Sequence, residues 1–225
     1  MSAITWDAQG EHFYQTGVDH GVVYPTWDPT NATYTGGAFT GGVAWNGLTA
    51  VNESPSGAEP SPVYADNVKY LNLISAEEYA ATIEALMYPD EFAECNGMKV
   101  VANGVKIGQQ PRKPFGFVYR SLVGNDTEGT NAGYILHLIY NCTASPSEQS
   151  HETVNESPDA SPLSFEVSTT PEAVTGNKPS ATLEIDSRTA NSTKLTALEK
   201  ILFGDTNTDP ALPLPDYIIN MMSQQ

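Results

Sequence analysis

Short segments in which apolar and polar residues alternate, each bounded by turn-forming residues, recur along most of this chain. The sequence contains 18 Gly and 16 Pro residues. Gly and Pro interrupt helices, and alternation with a period of two places apolar side chains on one face of a strand. The pattern therefore predicts a mainly β protein. The predicted strands are Gly42–Asn52, Asn67–Ile74, Tyr79–Tyr88, Phe115–Val123, Tyr134–Cys142, Leu163–Thr170 and Ala181–Asp186.

Two of these strands are predicted to pair as a β-hairpin. Phe115–Val123 and Tyr134–Cys142 are both strongly apolar, and the segment between them reads GNDTEGTNAG. Gly, Asn and Asp readily adopt the backbone conformations that hairpin turns require. We therefore expect the two strands to run antiparallel on either side of that loop.

An α-helix is predicted near the C-terminus, over about residues 192–203. Asn191 offers an N-capping side chain, and Gly204 provides a stop signal. Between them, apolar residues recur at helical spacing, namely Leu195, Leu198, Ile201 and Leu202. The segment Tyr79–Tyr88 fits either a strand or a helix, and its Thr–Ile core and the following Pro89 favour the strand.

The chain is expected to form a single domain over residues 1–225, with two long loops at 53–66 and 144–162. Both segments are rich in Pro, Ser and acidic residues. Loops longer than about 12–15 residues inside a compact domain are usually functional or mobile. We therefore expect Glu53–Asp66 to be loosely held until a neighbouring molecule orders it.

The segment that follows the predicted helix is broken by Pro residues and ends in apolar residues. A free monomer would expose that apolar end, so we expect it to dock on the chain's own sheet or on a neighbour. The residues predicted to dock are Leu212, Leu214, Tyr217, Ile218 and Ile219.

The charge balance excludes several classes of partner. The chain carries 27 Asp and Glu against 10 Lys and Arg, a formal net charge of −17. Tight binding to duplex DNA or to an anionic membrane surface depends on basic residues that neutralise phosphate, and this chain has few. No apolar run reaches the roughly 18–20 residues of a membrane span. The N-terminal residues show neither the basic nor the apolar region of a Sec-type signal, so we expect no such signal.

No catalytic, cofactor-binding or metal-ligating set can be recognised from residue spacing. The four His residues lie far apart in the sequence, and none has metal-type spacing with another His or Cys. Glu77 and Glu78 are adjacent, and neighbours on a strand point to opposite faces, which does not suit a carboxylate pair. Cys95 and Cys142 are expected to be unpaired thiols, although one disulfide between them is possible. We therefore predict no catalytic residue, no cofactor and no metal.

Several dispersed segments resemble, in the same order, the major tail tube proteins of long-tailed (siphovirus-type) phages and prophages of Gram-positive bacteria. The longest of them is Gly42–Gly97, and the likeness extends along most of the chain. The other segments are Gly17–Tyr24, Ile107–Gly116, Leu122–Gly129, Ser145–Glu148, Thr169–Pro171 and Leu212–Asp216. The likeness does not extend to the additional C-terminal immunoglobulin-like domain that some tail proteins carry.

The resemblance implies a β-sandwich or barrel-like subunit with a flanking helix, which contributes strands to the shared inner barrel of a hexameric ring. It implies that rings stack into a tube through which the genome is ejected, without any catalytic residue. The implied partners are further copies of the chain and the tape-measure, tail-terminator and tail-initiation or distal tail proteins. Duplex DNA would pass through without tight binding. The implied location is the virion tail, assembled in the host bacterial cytoplasm.

Simple geometry is compatible with that expectation. If each of six subunits contributed four strands, spaced by about 4.8 Å, the untilted barrel circumference would be roughly 115 Å. Strand tilt and inward side chains leave a channel of about 27–40 Å, wide enough for duplex DNA. The acidity would either repel phosphate from the channel wall or keep the free subunit soluble.

The residues expected to contact a neighbouring ring lie in the long loop at 53–66, and they are Glu53, Pro55, Glu59, Pro60 and Tyr64. Two other functions remain open. One is a monomeric acidic β-sandwich that acts as a binding module on a virion or cell surface. The other is a β-rich hydrolase that uses some of the surplus carboxylates.

Overall fold

The computed structural model describes residues 4–149, 151, 153, 160 and 162–223. Within them the protein is mainly β, with antiparallel sheets and two α-helices. A short 3₁₀-helix spans Asp90–Ala93, and the α-helices are α1 (Ser192–Phe203) and α2 (Pro215–Ser223). The strands are β1 (Tyr14–Tyr24), β2 (Thr26–Asp28), β3 (Ala38–Thr40), β4 (Val43–Ala44), β5 (Leu48–Glu53), β6 (Ser56–Gly57), β7 (Pro60–Ala65), β8 (Val68–Ile74), β9 (Glu77–Glu78), β10 (Ala80–Ala85), β11 (Lys99–Ala102), β12 (Val105–Ile107), β13 (Phe115–Asn125), β14 (Gly129–Ala144), β15 (Leu163–Thr169), β16 (Thr182–Asp186) and β17 (Ala211–Pro213).

The largest sheet among the described residues contains eight strands. Seven of them follow the order β4-β1-β13-β14-β15-β10-β5, and β16 pairs with β14 alongside this path. The long strand β14 therefore divides its second edge between two partners, pairing through Ile135–Ile139 with β16 and through Cys142–Ala144 with β15. Between the two stretches, Asn141 adopts a positive φ of 50°.

The predicted hairpin is confirmed as β13–β14, but its strands are longer than expected. The connection shrinks to Asp126–Glu128. Asn125 explains why so short a turn suffices, because its Oδ1 atom accepts hydrogen bonds from the backbone N–H groups of Thr127 and Glu128, at 3.1 and 2.6 Å. Hydrogen bonds between an Asn side chain and the backbone two or three residues later stabilise a tight turn, so a longer loop is not needed.

The two faces of β13–β14 pack against two different hydrophobic clusters. An aromatic cluster forms between this hairpin and the half of the sheet built from β5, β10 and β15. The Trp45 ring lies at its centre, 4.5 Å from the Phe92 ring and 5.6 Å from the rings of Phe117 and Phe165. The opposite face forms a helix-side cluster under α1 and α2. Its members include Val118, Leu136, Leu138, Tyr140, Leu195, Leu198, Leu202, Leu212 and Ile218.

The predicted helix is confirmed as α1, and its ends have the expected caps. The Asn191 side chain accepts hydrogen bonds from the backbone N–H groups of Thr193 and Lys194. Gly204 follows the last turn with a φ of 76°. The second helix, α2, was not predicted. It begins at Pro215, and Pro is favourable in the first turn of a helix because no intrahelical hydrogen bond is lost there.

Most of the other predicted strands are present. Tyr79–Tyr88 contains a strand, β10, and no helical turn was found there, which decides between the two predicted alternatives. The predicted strand Gly42–Asn52 is two strands, β4 and β5, because the chain turns at Gly47, whose φ is 80°. Cys95 and Cys142 are buried free thiols, as expected.

The expected loop at Glu53–Asp66 is mostly strand, and that prediction was wrong. Glu53 ends β5, and β6 and β7 follow it within the segment. The reason is a turn at Asp66 and Asn67, which adopt positive φ angles of 51° and 62° and allow β7 to fold back against β8. In the other expected loop, 144–162, residues 150, 152, 154–159 and 161 lie outside the described residues.

Candidate functional site

A β-hairpin formed by β7 and β8, residues 60–74, carries the largest group of exposed apolar side chains in the described chain. We call it the first arm. Every residue of both strands is exposed. Leu73 and Ile74 are consecutive and therefore point to opposite faces, yet they are 60% and 66% exposed. Neither face of the first arm is therefore covered by the rest of the chain. Its large exposed apolar side chains are Val63, Tyr64, Val68, Tyr70, Leu71, Leu73 and Ile74.

A second arm, β11–β12 (residues 99–107), has a similar character. All of its residues are exposed, and its large exposed apolar side chains are Val100, Val101, Val105 and Ile107. It is tied to the 3₁₀-helix at its base, since Lys106 Nζ lies 2.5 Å from Asp90 Oδ1. Isolated two-stranded hairpins are only marginally stable in water, so both arms have much to gain from a partner.

The residues predicted to contact a neighbouring ring fall into three places. Pro60 and Tyr64 lie on β7 of the first arm, and Pro55 and Glu59 lie in the short connections on either side of β6. All four are exposed. Glu53 is separate from them, because it ends β5 and faces a polar cleft on the body of the protein. Four of the five predicted residues therefore lie on or near the first arm, whereas Glu53 belongs to the polar cleft.

The predicted docking residues of the C-terminal segment lie against the chain's own body. Leu212 and Ile218 are fully buried in the helix-side cluster. Leu212 belongs to β17 and is paired in register with Phe39 of β3. Leu214 and Tyr217 are half-buried, and the Tyr217 ring packs edge-on against Tyr34 with centroids 5.2 Å apart. Ile219 is only partly covered, with 37% of its surface exposed.

The polar cleft has a volume of about 280 Å³ and lies beside β13, β14 and β16. Tyr119, His137 and Glu184 occupy matching positions on these three neighbouring strands, so their side chains form a row across the sheet. Glu53, the last residue of β5, faces this row from the other side of the cleft. Tyr119 Oη donates a hydrogen bond of 2.7 Å to Glu53 Oε1, and the Tyr119 ring stacks on the His137 ring at 4.5 Å.

His137 is the central group of the cleft. It is 8% exposed, and its Nε2 atom lies 2.8 Å from Ser121 Oγ. Its buried Nδ1 atom has no hydrogen-bond partner among the described residues. Glu53 Oε1 and Glu184 Oε1 lie 3.7 and 3.6 Å from that Nδ1, too far for direct hydrogen bonds. Burial lowers the pKa of His137, and the two carboxylates oppose that shift.

The sequence did not reveal this cluster, because its members are distant along the chain. Only the pairing of β14 with β13 and β16 brings Tyr119, His137 and Glu184 together. The one available signal was His137 itself, a titratable residue among the apolar residues of a predicted strand. That pattern suggests burial but names no partner.

Other candidate groups offer less for chemistry. Glu77 and Glu78 form the short strand β9 and are both exposed. Burial raises the pKa of the Cys95 thiol to about 12, so that thiol is protonated and weakly nucleophilic at neutral pH. No helix among the described residues is long and apolar enough to cross a membrane.

Comparison with protein-family models finds none that matches this chain, and comparison with curated protein sequences finds no significant match.

Proposed function

We propose that this protein is a structural subunit that assembles with copies of itself into hexameric rings, and that the rings stack into the tail tube of a long-tailed phage. The observation that carries the proposal is the first arm. It presents apolar side chains on both faces, and no part of the described chain covers them. Apolar surface of this kind marks an interaction site, and the occupant proposed here is another copy of the chain.

The edges of the largest sheet support the same proposal. The sheet path ends at β4 and at β5; β5 also lies beside part of β1, but within the described chain β4 pairs only with β1 and β5 only with β10. Edge strands carry backbone N–H and C=O groups that can pair with another chain, and natural proteins normally protect them. In a ring whose subunits share one barrel, the edge of each subunit is covered by its neighbour, which removes the hazard.

The proposed tube has the partners and the location that the resemblance implies. Tape-measure, tail-terminator and tail-initiation or distal tail proteins would contact its interior and ends, and the tube would belong to the virion tail. No catalytic role is proposed for any residue. The net charge of −17 favours a subunit that stays apart from its copies at low concentration and low salt.

Electron microscopy of the purified protein, concentrated in steps, tests the assembly. We expect rings and tubes of uniform diameter with a channel of about 27–40 Å. Light scattering across the same concentration series should show a cooperative rise in mass. If the protein remains monomeric at high concentration, even with tail-initiation and tape-measure proteins added, the proposal fails and the monomeric binding module is favoured.

The free subunit is expected not to bind duplex DNA measurably at physiological salt. Non-specific affinity comes from Lys and Arg at phosphates, and the 10 such residues of this chain are diluted among 27 acids. Fluorescence anisotropy of a labelled duplex, titrated at about 50 and 150 mM salt, measures this. A micromolar affinity that falls with salt would contradict the expectation, and with it the proposal that DNA passes through the tube without being retained.

A further inference from the structure

We propose that Glu53, His137 and Glu184 form a binding site for a divalent transition-metal ion of the Zn²⁺ class. The site can be tested on the free subunit, because all three residues belong to one chain. Their donor atoms, His137 Nδ1 and one oxygen from each carboxylate, all lie within 4.8 Å of one another. The imidazole supplies a donor that hard cations such as Mg²⁺ do not prefer, and the carboxylates supply charge.

The distances match a metal site better than a hydrogen-bonded one. A tetrahedral zinc with ligands at about 2.0–2.2 Å holds its ligand atoms about 3.3–3.6 Å apart. The two carboxylate oxygens lie 3.7 and 3.6 Å from Nδ1, within a few tenths of an ångström of that separation. A direct hydrogen bond would require a separation closer to 3 Å.

The surroundings of His137 prepare Nδ1 to act as a ligand. Ser121 Oγ lies 2.8 Å from Nε2 and can accept a hydrogen bond from it. With the proton on Nε2, Nδ1 presents a free lone pair toward the two carboxylates. Such a partner behind a ligating histidine commonly fixes its tautomer and orientation in metal sites. The Tyr119 ring stacks on the imidazole, and its hydroxyl donates to Glu53 and orients that carboxylate.

The buried Nδ1 atom, which no described residue hydrogen-bonds, is the observation that separates this cluster from an ordinary acidic surface. A buried polar atom without a partner is unfavourable, and a metal ion would satisfy it. A divalent ion would also balance the two carboxylates, and none of the described residues that line the cleft is Lys or Arg. The cleft is open to solvent, so water can complete the coordination.

The test is a Zn²⁺ titration of the full chain after treatment with a chelator, by calorimetry and by competition with a chromophoric chelator. We expect one Zn²⁺ per chain and a higher melting temperature when the ion is bound.

Glu184→Gln should weaken binding at least about tenfold while leaving the fold intact, because this side chain is 60% exposed. Glu53→Gln should act in the same direction. Ser121→Ala should weaken binding by roughly 10–100-fold without removing a ligand.

The matched control is His12→Gln. His12 also lies near two carboxylates, Asp7 and Asp126, but each is close to a different ring nitrogen and the side chain is half exposed. Its replacement should leave Zn²⁺ affinity unchanged. The proposal is overturned by any of three results: no stoichiometric Zn²⁺ binding, an affinity that both Glu→Gln variants retain, or Mg²⁺ binding as tight as Zn²⁺ binding.

Discussion

Two glutamates placed on the first arm are expected to prevent assembly without unfolding the subunit. The variant Tyr70→Glu/Leu73→Glu changes two side chains that are 69% and 60% exposed in the free chain. Substitutions at such exposed positions usually alter the free energy of unfolding by only about 0.5 kcal/mol. If a neighbouring copy buries the first arm, however, each added carboxylate would be desolvated without a partner.

The expected effect on assembly is large. An unpartnered charge in a buried contact costs about 3–5 kcal/mol, and about 1.4 kcal/mol corresponds to a factor of ten in affinity. The protein concentration at which tubes appear should therefore rise by at least about 100-fold. Light scattering and electron microscopy measure that threshold, and circular dichroism checks the fold.

A control variant adds the same charge elsewhere. Thr193 and Ala197 are exposed on α1, and Thr193→Glu/Ala197→Glu changes the net charge by the same amount. It should assemble at nearly the wild-type concentration. If both double variants lose assembly alike, the cause is net charge, and the first arm has no special role. Normal assembly by the arm variant would remove the main support for the proposed function.

Removal of the C-terminal segment from Leu212 onward is expected to leave a chain that does not fold stably. The truncation removes Leu212 and Ile218, both fully buried, and opens the helix-side cluster to water. Each large-to-small change at such a site costs about 2–5 kcal/mol, whereas a whole domain is typically stable by only about 5–15 kcal/mol. The truncated protein should be insoluble or should lack a cooperative melting transition.

Single substitutions make the same point without removing backbone. Leu212→Ala should lower the free energy of unfolding by about 2–5 kcal/mol, because the lost side chain is fully buried and closely packed. Its Cδ2 atom already packs so tightly on Gly116 that a Cβ added there would lie 2.7 Å away. Ile219→Ala, at a position that is 37% exposed, should cost less than the Leu212 substitution, about 1 kcal/mol. Urea denaturation measures both, and equal losses would show that Leu212 does not anchor the segment.

Local signals in the sequence predicted the elements whose determinants are local. The caps at Asn191 and Gly204 and the spacing of the leucines between them were sufficient for α1. The Thr–Ile core and the following Pro89 were sufficient for β10, and two apolar segments around a stretch rich in Gly, Asn and Asp were sufficient for the β13–β14 hairpin. The helix α2 was missed because a Pro-rich segment indicates a break, although Pro215 in fact starts the helix.

The features with functional interest were harder to predict. They depend on residues that are distant in the sequence, or on the fact that no described part of the chain covers a surface. The composition of Glu53–Asp66 indicated a loop, yet the turn at Asp66 and Asn67 makes it half of an exposed hairpin. Alternation in Asn67–Ile74 correctly predicted a strand but would normally imply that one face is buried, and neither is. The cleft around His137 depends on the order of strands in the sheet, which residue spacing does not encode.

The placement of two hydrophobic clusters on opposite faces of β13 and β14 has a consequence for how the molecule unfolds. The aromatic cluster and the helix-side cluster lie on opposite faces of the same two strands, β13 and β14. Neither cluster can be lost while the other keeps its full support, so the body is expected to melt in one cooperative step. The first arm contributes no residue to either cluster. It can therefore open and close on its own while the body stays native, which would let it sample partners at little thermodynamic cost.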